Sequence, residues 1–247
     1  MKLIIIAAGQ GSRLRSITDG TPKSLSKVHG FTIIDILINN CKLNNIKDIV
    51  IVTGYNSELI KKYLKGSWTE LNIEFIHNKF WNLENGLSVL TAKDIIPKNQ
   101  EFLISMSDHL YFSDLLEKVI NSDLSKYLVN VGVDLKIDSI FDIDDGMKLK
   151  FSSIDSSITA MSKNLNSYNA IDVGLFKCSY KFFEYLTKAN KKNKCSVSNA
   201  CNELILDGGL GGVDINDSYW LDIDTPEALK HARSDSVLKS KIKRLFR

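Results

Sequence analysis

The stretch Ile4–Arg15, IIIAAGQGSRLR, decides the fold, because an apolar run leads directly into a glycine loop that carries arginines. Isoleucine-rich runs bounded by glycine are typical of buried parallel strands, so we predict a strand at Leu3–Ala8. The run is shorter than the apolar core of a secretory signal peptide, and polar and basic residues follow it at once. We therefore expect a cytoplasmic protein whose chain begins with a strand.

The composition is that of an ordinary globular protein, with 247 residues of which 44% are hydrophobic and 25% are charged. The formal net charge is +3, but the last nine residues, KSKIKRLFR, contain five cations and no acid, so the rest of the chain is close to neutral. A near-neutral body argues against a nucleic-acid partner. The four cysteines form no C-x-x-C pair, which argues against zinc and fits a reducing compartment.

Strand and helix patterns alternate in the first half of the chain. Such alternation predicts a Rossmann-like α/β fold, a mixed and mostly parallel sheet with helices on both faces. The carboxyl ends of its strands share one edge, where ligands bind in such sheets. Besides the first strand, we predict strands at Asp48–Thr53, Ile73–His77 and Phe102–Met106, and helices at Ile33–Leu43, Ser57–Leu64 (capped by Ser57) and Gly86–Lys93.

From about residue 127 the pattern changes to short antiparallel strands, with turn residues at Asp144-Asp145-Gly146. A strand at Ile171–Lys177 and a helix at Tyr180–Lys188 follow. We then predict a strand at Asp217–Asp224 and a helix that begins at Thr225-Pro226, with threonine as the cap and proline in the first turn. No repeat or low-complexity linker divides the chain, so we expect one domain with an extended sheet.

The loop after the first strand offers backbone N–H groups to a phosphate. Gly9 and Gly11 let the backbone approach a ligand closely, and Arg13 adds a forked, charge-assisted contact. The third glycine of a dinucleotide fingerprint and the G-K-[ST] of a P-loop are missing, so the loop alone is also compatible with a tight turn. Lys23 projects from the backbone stiffened by Pro22, and its compact cation suits a triphosphate, although a lone lysine is by default a solvated surface residue.

Acidic residues follow two of the later predicted strands. Asp108 ends a strand in MSDHLY, and Asp222 and Asp224 alternate in WLDID, so that both point to one face. Carboxylates at strand ends favour Mg²⁺, which uses one or two protein carboxylates together with substrate phosphates. Each aspartate could instead serve a turn or a cap, and Asp224 could be only a structural acid. For His77 and His109, a structural role is favoured over metal binding.

The segments IIIAAGQGSRLR and TPKSL resemble the signature of GT-A-like nucleotidyltransferases. Several later segments resemble more narrowly the CTP:inositol-1-phosphate cytidylyltransferases, and the resemblance runs from Met1 to about Arg233. It implies transfer of CMP from CTP to inositol-1-phosphate, giving CDP-inositol and pyrophosphate, with Mg²⁺ as the cofactor. Many of these enzymes continue into a membrane domain with a second activity, which we expect to be absent because this sequence stops at Arg247. The later segments are GYN at 54–56, ENGLSV at 84–89, MSDHLYF at 106–112, IDVGLF at 171–176 and WLDIDTPE at 220–227.

The resemblance implies that Asp108 and Asp222 hold Mg²⁺, that Lys23 contacts the triphosphate and that Lys163 lies near the acceptor phosphate. Together with Arg13 of the loop, the two lysines form the predicted catalytic set. The predicted nucleotide contacts are Ala8, Gly9, Gly11, Ser12, Arg13, Lys23, Asn85, Ser88, Ser107 and Asp108. The predicted acceptor contacts are His109, Lys163, Asp172 and Gly174.

The sequence is also compatible with three other functions. The same chemistry could use phosphocholine, aminoethylphosphonate or a sugar phosphate as the acceptor. The protein could be a nucleotide-binding regulator without activity, or a redox enzyme with a Rossmann site, against which the missing third glycine argues. A polyol phosphate is favoured by the polar stretches Ser107–Tyr111 and Lys163–Gly174. Aromatic residues for a choline cage are nevertheless present, namely Trp81, Tyr111, Tyr168 and Trp220.

The C-terminal residues 237–247 form a basic tail after a predicted nucleotidyltransferase domain at 1–236. As a helix, the tail would be basic and roughly amphipathic, which suits weak contact with an anionic membrane surface. A solvated or packed C-terminal helix is the alternative. The sequence predicts no particular oligomeric state.

Overall fold

The computed structural model describes residues 1–246, apart from the side chains of Arg15 and Ser16. These residues contain thirteen strands, most of which belong to one sheet. The strands are β1 (Lys2–Ala7), β2 (Lys27–Val28), β3 (Phe31–Thr32), β4 (Asp48–Thr53), β5 (Asn72–His77), β6 (Phe102–Met106), β7 (His109–Tyr111), β8 (Val129–Asp134), β9 (Lys148–Phe151), β10 (Ile158–Ser162), β11 (Ala170–Cys178), β12 (Leu210–Asp214) and β13 (Trp220–Asp222).

Nine α helices lie within the same residues, and most of them cover the two faces of the sheet. The helices are α1 (Arg15–Thr18), α2 (Ile33–Leu43), α3 (Ser57–Leu64), α4 (Gly86–Thr91), α5 (Ser113–Ile120), α6 (Phe182–Lys191), α7 (Val197–Leu206), α8 (Pro226–Ser234) and α9 (Ser236–Leu245).

A mixed sheet of nine strands forms the centre of the molecule. β1 pairs in parallel with β4 on one side and with β6 on the other, and β5 extends the parallel run beyond β4. Beyond β6 the sheet becomes antiparallel through β11, which also pairs with β8 and β9. β10 pairs antiparallel with β9, and β12 pairs in parallel with β8. The predicted Rossmann-like fold with a mixed, mostly parallel sheet is confirmed.

Alternate residues of β1 supply two hydrophobic cores, one on each face of the sheet. Leu3 and Ile5 face the core that includes residues of α2, α3, α5, α8 and α9. Ile4 and Ile6 face the core shared with α4, α6 and α7. Successive side chains of a strand point to opposite faces, so a strand buried on both faces must be apolar throughout. This explains the continuous isoleucine run at the start of the chain.

The bounds of α2, α3, β4 and β6 match the prediction. The predicted cap of α3 is wrong, because Asn56 occupies the N-cap in a left-handed conformation (φ of +47°) and Ser57 is already helical. The predicted strand Asp217–Asp224 contracts to β13, since Ser218 donates its N–H to the carbonyl of Ile215 in a turn. Asp224 therefore lies beyond the strand. The sequence did not predict α5, α7 or β12.

Helix α9 is packed onto the body of the protein. Leu238 and Ile242 are fully buried, and the ring of Phe246 stacks on that of Phe31 with centroids 3.8 Å apart. The apolar side of the tail, which a membrane contact would use, is thus engaged inside the fold. Among residues 1–246, no helix is long and apolar enough to cross a bilayer. The basic residues exposed on α9 are Lys239, Lys243 and Arg244.

All four cysteines are free and buried. Burial raises the pKa of each thiol, to about 11 for Cys195, so the thiols are uncharged at neutral pH. They therefore act as small apolar core residues. The buried set is Cys41, Cys178, Cys195 and Cys201.

Candidate active site

The glycine loop after β1 forms one wall of a cavity of about 160 Å³. A residue outside the loop holds its start in place, because Tyr55 donates its N–H to the carbonyl of Ala8 at 3.0 Å. Gly11 has a φ of +62°, and a Cβ atom there would lie 3.3 Å from Cβ of Lys23. Glycine at this position therefore allows the loop to approach the lysine. The cavity is lined by Ile6, Ala7, Gly9, Gly11, Pro22, Lys23, Ser24, Asn85, Met106, Ser107 and Asp108.

A row of alternating charges begins at Lys23 and Asp108, which line this cavity, and continues through residues that do not line it. Lys23 Nζ donates to Asp108 Oδ2 at 2.6 Å and also to Asp224. Arg13 donates to Asp224 as well, and its Nη1 lies 2.7 Å from Oδ2 of Asp145. Asp145 in turn accepts from Lys163 Nζ at 2.8 Å. The three cations predicted to neutralise phosphate charge are thus brought together, although Lys163 is distant in the chain from Arg13 and Lys23.

The strand pair β7–β13 brings two of the predicted metal ligands together. His109 pairs with Asp222 in this antiparallel ladder, which places Asp108, the residue before β7, beside Asp222. One ligand atom from each of Asp108, His109 and Asp222 lies within 4.8 Å of the others. His109 Nδ1 is 2.9 Å from Asp108 Oδ1 and 3.8 Å from Asp222 Oδ1.

The two carboxylates differ in their electrostatic surroundings. Burial acts to raise the pKa of Asp108, but the Lys23 ammonium and His109 outweigh it and hold the pKa well below its ordinary value. Burial raises the pKa of Asp222, and His109 only partly opposes it. Oδ1 of Asp222 is buried and has no hydrogen-bond partner within residues 1–246. A buried, unpartnered carboxylate oxygen is costly unless a cation completes its environment.

The donor set fits a hard divalent cation. Carboxylate oxygens are the protein ligands that such cations prefer, and a site with two of them leaves positions for substrate phosphates. The unpartnered oxygen of Asp222 is the observation that supports this fit. Asp145, Asp222 and Asp224 also bring their carboxylates within 4.8 Å of one another, so negative charge is concentrated on this edge of the sheet.

A second cavity of about 200 Å³ lies beside the first. His109 forms part of its wall, with its ring stacked on Trp220 at 5.8 Å. A bulge in β11 makes room for this ring: Gly174 has a φ of +75°, and a Cβ there would lie 2.5 Å from Cδ2 of His109. Asp172 fixes the bulge by accepting the Gly174 N–H at 2.7 Å. The predicted acceptor residues His109, Lys163, Asp172 and Gly174 all line this cavity.

The second cavity is lined by a cationic imidazole and by a carboxyl whose pKa is raised. Burial acts to lower the pKa of His109, but Asp222 and Asp108 outweigh it and raise the pKa to about 9. Burial raises the pKa of Asp172 to about 6, partly offset by the Gly174 N–H. Near neutral pH the cavity therefore presents a protonated imidazole, which donates hydrogen bonds, and a mostly ionised carboxyl, which accepts them; both suit a polar ligand.

The two cavities meet at Asn85, Met106 and Asp108, which line both. Asn85 holds α7 at this junction, because its Oδ1 accepts the N–H of Val197 at 3.0 Å. A ligand in each cavity would therefore be in contact beside Asp108. This arrangement suits a reaction between two bound substrates.

The other predicted nucleotide contacts differ in whether they line the first cavity. Ser107 lines the first cavity, and Ala8 is buried beside it. Ser12 is exposed and Ser88 is buried, with its Oγ accepting from Asn78 Nδ2 at 3.0 Å. Neither Ser12 nor Ser88 is among the residues that line the two cavities.

Sequence reasoning missed the roles of Asp145 and Trp220 in the site. Asp145 appeared only as a turn residue in Asp144-Asp145-Gly146, and its acidic side chain beside a turn glycine gave no indication of its two cationic partners. Trp220 donates its Nε1–H to Asp134 at 2.8 Å and so holds the stack on His109. Asp224, interpreted as a possible structural acid, bridges Arg13 and Lys23.

Residues 2–134 match the family described as nucleotidyl transferase. The chain belongs to this family. This nucleotidyltransferase is 30% identical to the bifunctional IPC transferase and DIPP synthase of Aquifex aeolicus over 241 residues, which is 97% of this chain and 52% of that protein. It spans about half the length of the relatives of this kind that it matches. The predicted resemblance is thereby confirmed at the level of the enzyme family.

Two further comparisons extend this result. The nucleotidyltransferase is 32% identical over 197 residues to the CTP:phosphoglutamine cytidylyltransferase of Campylobacter jejuni, which covers 74% of each chain. It superposes on the inositol-1-phosphate CTP transferase from T. maritima with a TM-score of 0.85 at 20% identity, over 99% of this chain and 95% of that one. The superposition shows that the two proteins share a fold.

Proposed function

We propose that the nucleotidyltransferase transfers CMP from CTP to inositol-1-phosphate, giving CDP-inositol and pyrophosphate. The observation that carries the proposal is the meeting of two cavities at Asp108, one beside the glycine loop and Lys23, the other beside Lys163. The names of the Aquifex relative and of the T. maritima neighbour support the choice of substrates.

In the proposed reaction, a phosphate oxygen of the acceptor attacks the α-phosphorus of CTP. A new P–O bond forms as the bond to the β-phosphate oxygen breaks, and the electron pair leaves with pyrophosphate. No protein nucleophile is required, because a phosphate monoester is already an anion near neutral pH. The task of the protein is to align two anions and to offset their charge.

The cations of the chain would divide this task. Backbone N–H groups at Gly9 and Gly11, with Arg13 and Lys23, would bind the triphosphate, and Lys163 would offset repulsion at the acceptor phosphate. Each of these cations has N–H groups beyond those that donate to carboxylates at present, and these can donate to phosphate oxygens. We propose that Asp108 and Asp222 hold Mg²⁺. When bound, the ion would neutralise charge on the triphosphate.

The chemistry of the second cavity supports a polyol acceptor. His109, Asp172 and Asn85 offer hydrogen-bonding groups to ring hydroxyls. A quaternary ammonium would instead need several open aromatic faces. Of the aromatic residues considered, one face of Trp220 is covered by His109, and Tyr111 is fully buried with its hydroxyl bonded to Ser105. These contacts weaken the phosphocholine alternative.

A second candidate acceptor is a phosphorylated amide such as phosphoglutamine. It is favoured by the Campylobacter relative, which is matched over most of its own length. The same polar side chains that suit a polyol could bind an amide, so geometry alone leaves this candidate open.

An acceptor panel tests the proposal. Pyrophosphate release would be measured for inositol-1-phosphate, phosphoglutamine, phosphocholine, aminoethylphosphonate and glucose-1-phosphate, each with CTP, UTP, ATP and GTP. We expect the highest kcat/KM for inositol-1-phosphate with CTP. A preference of tenfold or more for another acceptor would overturn the acceptor, a preference for another nucleotide would overturn CTP, and no release with any pair would support a regulatory protein.

We further propose residues 1–236 as the transferase domain, onto which α9 is docked. Contact of the basic face of α9 with an anionic membrane stays a prediction. Sedimentation with phosphatidylserine vesicles tests it, with charge reversal at Lys239 and Lys243 as the comparison. Equal sedimentation of both proteins would contradict a role for this face.

A further inference from the structure

Asp145 lines the second cavity, and its carboxylate contacts Arg13 of the glycine loop, which is not among the residues that line either cavity. Its Oδ2 accepts a hydrogen bond from Arg13 Nη1 at 2.7 Å, and its Oδ1 accepts one from Lys163 Nζ at 2.8 Å. Arg13 belongs to the loop at the first cavity, whereas Lys163 lines the second. One side chain therefore contacts both the cation predicted for the nucleotide and the cation predicted for the acceptor.

Both cations keep donors available for phosphate oxygens. The ammonium of Lys163 has three protons, and within residues 1–246 its nitrogen makes only the hydrogen bond to Asp145. The guanidinium of Arg13 has five N–H groups, and its second partner is Asp224. A phosphate in either cavity can therefore add to the bridge without displacing Asp145. The result would be an alternating row of phosphate, Arg13, Asp145, Lys163 and phosphate.

The backbone around the bridge is fixed by another lysine. Lys148 Nζ in β9 donates to the carbonyl oxygen of Asp144 at 3.2 Å and to that of Lys163 at 2.9 Å. The Asp145 N–H donates to the carbonyl of Asp142 at 3.1 Å, which closes the turn. The chain thus places the Asp145 carboxylate beside Lys163, whose own side chain is 47% exposed.

We infer that Asp145 is a positioning residue that couples the two substrate sites. Nucleotide bound at Arg13 fixes Asp145, and Asp145 in turn fixes Lys163 for the acceptor phosphate. Without the carboxylate, Arg13 and Lys163 would repel each other, and the exposed lysine would lose the partner that orients it. The acceptor should accordingly bind more tightly when the nucleotide is present. If the Asp145 carboxylate merely blocked Lys163, it would weaken acceptor binding, and its removal would tighten acceptor binding.

Calorimetry on the full chain measures this coupling. The acceptor Kd is determined with and without saturating Mg²⁺ and a CTP analogue that carries a methylene group between the α- and β-phosphorus atoms. For the wild type we expect the analogue to tighten acceptor binding by about fivefold or more. Asp145→Asn should bring this ratio close to one, and Asp145→Glu should retain part of it.

Asp144→Asn is the matched control, since it changes the same charge one residue away and its exposed side chain makes no hydrogen bond or ion pair within residues 1–246. It should behave as the wild type. Melting curves show whether each variant is folded. In steady state, Asp145→Asn should raise the acceptor KM measured at saturating CTP by about fivefold or more. Because coupling between two binding sites is reciprocal, the selective constant is the Kd of the CTP analogue measured without acceptor, which should change by less than about twofold.

An unchanged coupling ratio in Asp145→Asn, or tighter acceptor binding by that variant, would overturn the inference. The choice of inositol-1-phosphate as the ligand rests on the proposed function. The inference about Asp145 and the proposed function can nevertheless fail independently of each other. If the wild type does not use inositol-1-phosphate, the acceptor assignment is wrong. The ratio is then measured with the acceptor that the panel identifies, or with inorganic phosphate as the probe if none reacts.

Discussion

The two cavities of the site differ in how the chain builds them. Much of the wall around the glycine loop comes from residues 6–24, where β1, the loop and the Pro22-Lys23 turn follow one another. The wall around Lys163 is assembled from separate segments between Asn85 and Asp224. A cavity built from one short stretch can be recognised from its motif, whereas one built from many segments becomes visible only when they are folded together.

A substitution at the junction between the two cavities should cause the largest loss of turnover. Asp222→Asn keeps the shape of the side chain but removes its charge, and the unpartnered Oδ1 means that no hydrogen bond of the fold is lost there. We expect turnover to fall by about 10³-fold, on the order of 4 kcal/mol, with an unchanged melting temperature. EDTA should abolish wild-type turnover, and added Mg²⁺ should restore it.

The control for the junction is Asp217→Asn, at an exposed aspartate shortly before β13 whose side chain makes no hydrogen bond or ion pair within residues 1–246. It should retain full turnover. Near-normal turnover of Asp222→Asn, or full activity in EDTA, would remove Asp222 from the proposed metal site.

The nucleotide cavity is tested by Lys23→Ala. If Lys23 stabilises charge that grows in the transition state, kcat should fall by about 10²–10³-fold, or 3–4 kcal/mol. Lys27→Ala is the matched control, because Lys27 is an exposed lysine four residues later whose ammonium makes no hydrogen bond or ion pair within the described residues. A rise in the CTP KM with unchanged kcat would show that Lys23 contributes only uniform binding.

The acceptor cavity is tested by Lys163→Ala. Here the effect should be smaller and selective, with the acceptor KM raised by about tenfold and the CTP KM, measured at acceptor concentrations well below the acceptor KM, nearly unchanged. Lys150→Ala, an exposed lysine of β9, should leave both constants at their wild-type values. Equal changes in both KM values would mean that the two cavities are not divided between the substrates as proposed.

The smallest effect is expected on stability, at the cap of α9, whose residue Asp235 is not among those that line the two cavities. Asp235 accepts the N–H groups of Val237 and Leu238 and the hydroxyl of Tyr219. Burial acts to raise the pKa of Asp235, but these donors outweigh it and hold the pKa below its ordinary value. We expect Asp235→Ala to lower the free energy of unfolding by about 1 kcal/mol. The exposed Glu117→Ala should change it by less than about 0.5 kcal/mol.

The same cap should depend on pH in a defined direction. Because the folded pKa of Asp235 lies below the unfolded value of about 3.9, its contribution is present above that pH. It is lost as the pH falls through the folded pKa. Urea unfolding between pH 2 and 7 should therefore show the difference between wild type and Asp235→Ala disappearing at the acid end. A constant difference would contradict a role for the charged carboxylate.

The sequence predicts the parallel half of the fold well because its patterns are local. An apolar strand, a glycine turn and an amphipathic helix each lie within about a dozen residues, so β1, α2 and β4 could be located. β13 was predicted too long, because alternation in WLDID does not show where strand pairing ends. Asp145 could not be assigned a role from the sequence, since its partners Arg13 and Lys163 become its neighbours only when the antiparallel extension folds.

The burial of all four thiols has a practical consequence for spectroscopy. The native protein should show almost no background with maleimide dyes, because these reagents require an accessible thiolate. A single cysteine introduced at Asp138, exposed in the segment between β8 and β9, would then be the one labelled position. A fluorophore there would report on the chain that leads to Asp145. Its emission could be followed as nucleotide and acceptor are added in either order.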